Sequence, residues 1–299
     1  MMTSYILNEN FTDNKFFFEK GIGNKIFFKK KYFFDLSYCS GVLFLGHSNK
    51  IFQKTLKEIL KNKISIFSSP NLFAFKLCKN IKTFFLPFEK LVFCNTGSES
   101  VIKALRISRA INKNKEIIVC VTGSWHGSVD QTLFSPNKKD LLPYPLSSGL
   151  KESDKKNIIF IPYNDIKISQ KILNKYVGKI NSILIEPITA SLPLNTSVSY
   201  LRFLKSYSKK NKITLIFDEI ITGFRSKGGS VQKQFNIKPD ITLMGKILGG
   251  GFPIGAIAVT KDIATKINKL NKKVFFGGTF SANAFSMLAG NNTINYIKN

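Results

Sequence analysis

Ile241-Thr242-Leu243-Met244-Gly245-Lys246, continuing through Ile247-Leu248 into Gly249-Gly250-Gly251, is a short apolar run that stops at a lysine and a glycine string. Runs of this length bounded by turn residues read as fully buried strands. Upstream, Ile213-Thr214-Leu215-Ile216-Phe217-Asp218-Glu219 has the same character and ends in acid. A carboxylate at the end of a buried strand is rarely left unpaired, because desolvating it alone is costly.

Around these two runs the chain alternates strands with helical segments. Strands are expected at Leu91 to Cys94, Glu116 to Val121, Asn157 to Ile161, Ser182 to Glu186, Ile213 to Asp218, Ile241 to Met244 and Ile254 to Val259, with a helix from Ser98 to about Asn112. Such alternation predicts an α/β fold whose mainly parallel sheet is covered by helices on both faces. Ligands of such sheets bind at the carboxyl ends of the strands. Ile51 to Lys63 has helical spacing at Ile51, Leu56, Ile59 and Leu60, and residues 5 to 45 read as short strands and turns. Pro136 to Lys156, rich in Pro, Ser, Gly and Lys, reads as a long loop.

At 299 residues and 43% hydrophobic, the chain is long enough for one large α/β domain with a smaller appendage. No apolar stretch approaches a membrane span, and no basic segment with an apolar run marks secretion, so a cytoplasmic protein is expected. The net charge of +27 comes from lysines spread along the whole chain. Without a recognisable reading motif it does not predict nucleic-acid binding, although it favours anionic small molecules. Cys39, Cys78, Cys94 and Cys120 lack metal-type spacing, and two histidines, His47 and His126, do not make a metal site. No metal is expected.

Lys246 and Asp218 together suggest a pyridoxal phosphate site, the lysine holding the cofactor and the aspartate protonating its ring nitrogen. A solvated loop lysine and a turn-capping aspartate are the alternatives. Asn95-Thr96-Gly97-Ser98-Glu99-Ser100 follows a strand and opens a helix. Its glycine permits close approach and the helix amino terminus favours an anion, so a phosphate fits there; plain helix capping explains the same residues. Gly123-Ser124-Trp125-His126-Gly127 lies after another strand, where the indole is placed to stack on a planar ring, with a core aromatic as the alternative. Gly245-Lys246 is followed by Ile247, not Ser or Thr, so this is no nucleoside triphosphate loop.

In order along the chain, the blocks resemble the class III, fold type I, pyridoxal phosphate-dependent aminotransferases, closest to the glutamate-1-semialdehyde 2,1-aminomutase branch. They are Leu45-Gly46-His47, Asn95 to Glu99, Trp125-His126-Gly127, Pro162-Tyr163-Asn164-Asp165 and Glu186-Pro187, then Asp218 to Arg225, Pro239-Asp240, Gly245 to Ala256 and Gly277-Gly278-Thr279-Phe280-Ser281. The resemblance implies a seven-stranded-type sheet plus a partial small domain. Residues 1–50 would form the entry segment and amino-terminal part of the small domain and 51–299 the large cofactor-binding domain, with the carboxyl-terminal small domain absent. It also implies that Lys246 is the Schiff-base lysine and proton carrier, that Asp218 contacts the pyridine nitrogen, and that Gly97 and Ser98 bind the phosphate. Trp125 would stack on the ring with His126 beside it, and Glu186 would face the substrate. Thr279 would reach the phosphate of a neighbouring subunit, so a homodimer with a shared site and a small amino or keto substrate are expected.

Trp125 stands where the family usually has Tyr or Phe. Ile221 stands where many aminotransferases have a glutamine bonded to the cofactor hydroxyl, a bond that a hydrocarbon cannot make. The aminomutase branch is also apolar there. Ser147-Ser148-Gly149-Leu150-Lys151-Glu152 resembles a loop of that branch. The chain stops at Asn299, before a part of the family's small domain that closes the pocket and can carry an arginine for Glu186 or for a substrate carboxylate. A truncated, inactive aminotransferase-like binding partner is therefore the competing expectation.

Overall fold

The computed structural model describes residues 16–67, 69–191, 193, 197–225 and 228–298. The strand-and-turn reading of residues 5–15 lies outside them. The first described elements are β1 (Lys20–Ile22), β2 (Lys25–Phe28) and β3 (Lys31–Phe34), an antiparallel three-stranded sheet. Helices Lys50–Lys61 and Leu72–Ile81 follow, the second unread in the sequence. Asn49 and Asn71 start them, their side chains accepting from backbone amides of the first turn.

The strands that carry the site are β4 (Lys90–Cys94), β5 (Ile117–Val121), β8 (Ile158–Ile161), β9 (Ile180–Ile185), β10 (Thr214–Asp218), β11 (Ile241–Gly245) and β12 (Gly255–Val259). They form one seven-stranded sheet in the order β4-β12-β11-β10-β9-β5-β8. Every residue of β5, β9, β10, β11 and β12 is buried, which is why these strands read as unbroken apolar runs. Only β12 is reversed, pairing antiparallel with both β11 and β4.

On one face, helix Gly97–Ile111 packs Val101, Ala104, Leu105 and Ile107 against Ile118, Leu184, Ile216 and Ile257. On the other, helices Ile166–Tyr176 and Val198–Lys210 bring Leu173, Leu201 and Leu204 onto Val119, Ile183 and Phe217. Each such fully buried Val, Leu, Ile or Phe side chain contributes about 2 kcal/mol through the hydrophobic effect. A third cluster joins helices Leu72–Ile81 and Ala284–Lys298 to Met244 near the end of β11 and to Ile247 and Leu248 just past it.

Pro136 to Lys156 is not a featureless loop. It contributes to an antiparallel hairpin of β6 (Phe134–Pro136) and β7 (Pro143–Pro145) and contains a short helix, Glu152–Lys156. Pro143 and Pro145 hide the strand, because proline is tolerated only on such edges. Among the described residues no helix is long and apolar enough to cross a membrane, and no group of three or more His, Cys, Asp or Glu is placed to hold a metal.

Candidate active site

The carboxyl ends of β4, β5, β9, β10 and β11 deliver the expected residues to one place. Gly97, Ser98, Trp125, His126, Glu186, Asp218 and Lys246 all line a single cavity of about 410 Å³. Asp218 closes β10 and Lys246 follows the last residue of β11; the two strands are parallel neighbours with Asp218 opposite Leu243.

Asp218 is buried and doubly held. His126 Nδ1 lies 2.8 Å from its Oδ2, and the Ile220 amide donates to its Oδ1 at 3.1 Å. Because a carboxylate only accepts, this pairing puts a proton on Nδ1. His126 Nε2 is left buried with no hydrogen-bond partner.

At the helix amino terminus the two alternatives for Asn95 to Ser100 are met by different residues. Thr96 is the cap, its Oγ1 accepting from the Glu99 amide at 3.1 Å. Gly97 and Ser98, in the first turn, have no carbonyl of their own helix to bond, so their amides remain available to an anion. Ser98 Oγ accepts instead from the Ser128 amide at 3.1 Å. That tie requires glycine at 127, where φ is +75° and a Cβ would collide with Ser98 Oγ.

Lys246 has φ +49°, a conformation seldom adopted by a side chain of this size. Its Nζ donates to the Ser40 carbonyl at 2.9 Å. Burial pushes the ammonium below the usual lysine range, and Arg225 adds to this, while Asp218, Cys39 and Glu186 oppose it. Ser40 lies in a turn in which Tyr38, Cys39, Ser40 and Gly41 all have positive φ. Asp35 holds the turn's entry, accepting from the Ser37 amide and hydroxyl and the Tyr38 amide, and pairing with His47 Nε2 at 2.8 Å.

Glu186, directly after β9, is buried and accepts from the amides of Trp125 at 3.1 Å and Ala190 at 3.3 Å. Burial, and then the nearby Asp218, push its carboxyl up to about 7 against the pull of His126 and those two amides. Trp125 is 54% exposed, so it is not a core aromatic. Ile221 also lines the cavity, where it presents no hydrogen-bonding group.

Thr279 stands apart. It is exposed and lines a separate cavity of about 390 Å³ with Asn95, Lys103, Arg106 and Phe275. The sequence reading missed the contribution of Ser40, whose backbone carbonyl has no side-chain signature. It also left Arg225 without a role, although the residue closes the Asp218 block.

A lysine and a partnered aspartate at neighbouring strand ends line one cavity with a helix amino terminus at the carboxyl end of a mostly parallel sheet, and the architecture is that of the aminotransferases. The sequence profile of the class III aminotransferases matches residues 8–299, and the chain belongs to that family. It is 33% identical over 291 residues to the glutamate-1-semialdehyde 2,1-aminomutase of Archaeoglobus fulgidus, covering 96% of this chain and 68% of that one. With the enzyme of the same name from Methanocaldococcus jannaschii it shares 36% over 259 residues, 85% of this chain and 60% of the relative. An omega-transaminase from Sphaerobacter thermophilus superposes with a TM-score of 0.85 at 26% identity, covering 94% of this chain and 66% of that structure. The chain thus spans roughly three fifths to two thirds of the length of these relatives.

Proposed function

We propose that the chain performs amino-group transfer with pyridoxal 5′-phosphate, and that its substrate is glutamate-1-semialdehyde, the compound in the name of its curated relatives. The observation that carries this reading is the convergence of Lys246, Asp218 and the Gly97–Ser98 helix terminus on one cavity.

The residues present fit the cofactor. Two first-turn amides suit a phosphate, a buried aspartate suits a protonated ring nitrogen, and an exposed indole suits a planar ring. Gly127 keeps Ser98 close to the segment that carries Trp125 and His126. When bound, the cofactor supplies an electron sink for negative charge developing on the substrate carbon.

The chain does the rest. Lys246 Nζ would hold the cofactor and, as a free amine, would move the proton at the reacting carbon; its burial favours the neutral amine needed for both tasks. Asp218 keeps the ring nitrogen protonated, with His126 and the Ile220 amide fixing its orientation. Ile221 and Trp125 shield the reacting face from water. Glu186 places an acid that changes charge near neutrality beside the substrate.

Thr279, exposed and outside the Lys246 cavity, is assigned to the phosphate site of a second copy in a homodimer. Residues 51–299 are read as the large cofactor-binding domain and 1–50 as the entry segment and part of the small domain. A cytoplasmic location belongs to the same reading, supported by four cysteines that stand as free thiols.

The test is a screen of amino donors and glutamate-1-semialdehyde against the cofactor-loaded chain, followed through the cofactor spectrum. Conversion to the amine form with at least one of them is expected. A chain that binds the cofactor but never converts it is an inactive relative and contradicts the assignment.

A further inference from the structure

A second cavity, of about 710 Å³, shares Trp125, Ile221 and Lys246 with the first, and its wall also includes Ser40, Gly41 and Arg225. Arg225 is fixed in this wall by the backbone. Its Nε donates to the Ile221 carbonyl at 3.1 Å and its Nη2 to the Gly41 carbonyl at 2.8 Å. Its guanidinium carbon lies 5.6 Å from the centroid of the Phe44 ring. Both carbonyls belong to segments of the active site, one to the turn that receives Lys246 Nζ and the other to the residue after Ile220.

Two of the five N–H donors of a guanidinium are used in this way. The remaining hydrogen on Nη2 and both on Nη1 are left as donors for a carboxylate, which a guanidinium can bind through two parallel N–H bonds. Among the described residues no carboxylate lies within ion-pair distance of Arg225. The residue is exposed, and partial burial of its side chain lowers its pKa from the usual arginine range. Ile188, Ile221 and Trp125 give the cavity an apolar lining that strengthens attraction to an anion.

We propose that Arg225 is a specificity-determining residue that anchors a carboxylate of the amino substrate beside Lys246. The proposal rests on the amino-transfer reading above. The backbone pins hold the guanidinium in advance, so little side-chain entropy is lost on binding. The recognised chemistry is a carboxylate separated from the reacting amine by a short carbon chain.

Trp125 is the only tryptophan in the chain and lines both cavities, so its emission reports ligand entry without turnover. The experiment titrates glutarate and its neutral counterpart glutaramide into the cofactor-loaded chain, comparing the wild type with Arg225→Gln and Arg225→Lys. The wild type is expected to bind glutarate about tenfold more tightly than glutaramide. Arg225→Gln should erase that preference and leave glutaramide binding unchanged, whereas Arg225→Lys, which keeps the charge, should retain part of it. Preference for glutarate surviving in Arg225→Gln, or absent from the wild type, overturns the proposal. Melting temperature and cofactor absorbance confirm that each variant is folded; if Arg225→Gln is not, full wild-type preference in Arg225→Lys overturns the role of the guanidinium. A chain that takes up no pyridoxal 5′-phosphate contradicts the amino-transfer reading, and the same titration on the chain as purified still decides the role of Arg225.

Discussion

His126 Nδ1 and Asp218 Oδ2 lie 2.8 Å apart with each side chain only 2% exposed. A pair this deeply buried is far more costly to break than to form, because deleting one member strands the other. His126→Ala is therefore expected to destabilise the chain by about 3 kcal/mol. Urea unfolding checks this, and in an Asp218→Asn background the same substitution should cost much less.

Gly127→Ala tests the cradle at the helix terminus. The added methyl would meet Ser98 Oγ, and φ of +75° disfavours any side chain. A stability loss of about 1–3 kcal/mol is expected. Because Ser98 moves with it, affinity for pyridoxal 5′-phosphate should fall as well, measurable by equilibrium titration.

Glu186 sets a pH dependence of known sign. Its carboxyl titrates at about 7 in the folded chain against an ordinary value of 4.5. Between these values the folded state holds a proton that the unfolded state has lost, so stability falls as pH rises across that window. Glu186→Gln should flatten this slope, leaving the variant relatively more stable at about pH 8 than at about pH 5 when compared with wild type by urea unfolding.

Asp35 acts in the opposite direction. Burial raises its carboxyl, but the His47 side chain, the Tyr38 and Ser37 amides and the Ser37 hydroxyl outweigh this and hold it at about 2 against an ordinary 3.8. Its stabilising effect is present above the ordinary value and is lost as pH falls towards the lower one. Asp35→Asn should remove that acid sensitivity. By loosening the turn that offers the Ser40 carbonyl to Lys246, it should also slow the half-reaction, a rate read from the cofactor spectrum.

The large sheet was legible because strands buried on both faces leave unbroken apolar runs, and the site because its side chains sit at the ends of those runs. What escaped has physical reasons. The reversed direction of β12 leaves no trace, since Gly255–Val259 is as buried as its parallel neighbours. Helix Leu72–Ile81 buries only Leu77 and Ile81, too little for a clear stripe. The support beneath Lys246 is a backbone carbonyl in a left-handed turn, which side-chain patterns do not encode. Arg225 looked like the end of a motif until its two carbonyl partners placed it on the wall beside Lys246.

The central claim is that Lys246 is the amine that holds the cofactor. Borohydride reduction of the pyridoxal 5′-phosphate-loaded chain, followed by peptide mass mapping, tests it most directly. The cofactor's mass should appear on the peptide containing Lys246, and Lys246→Ala should abolish both the label and the visible absorbance. A label on any other lysine, or none on the wild-type chain, would contradict the account.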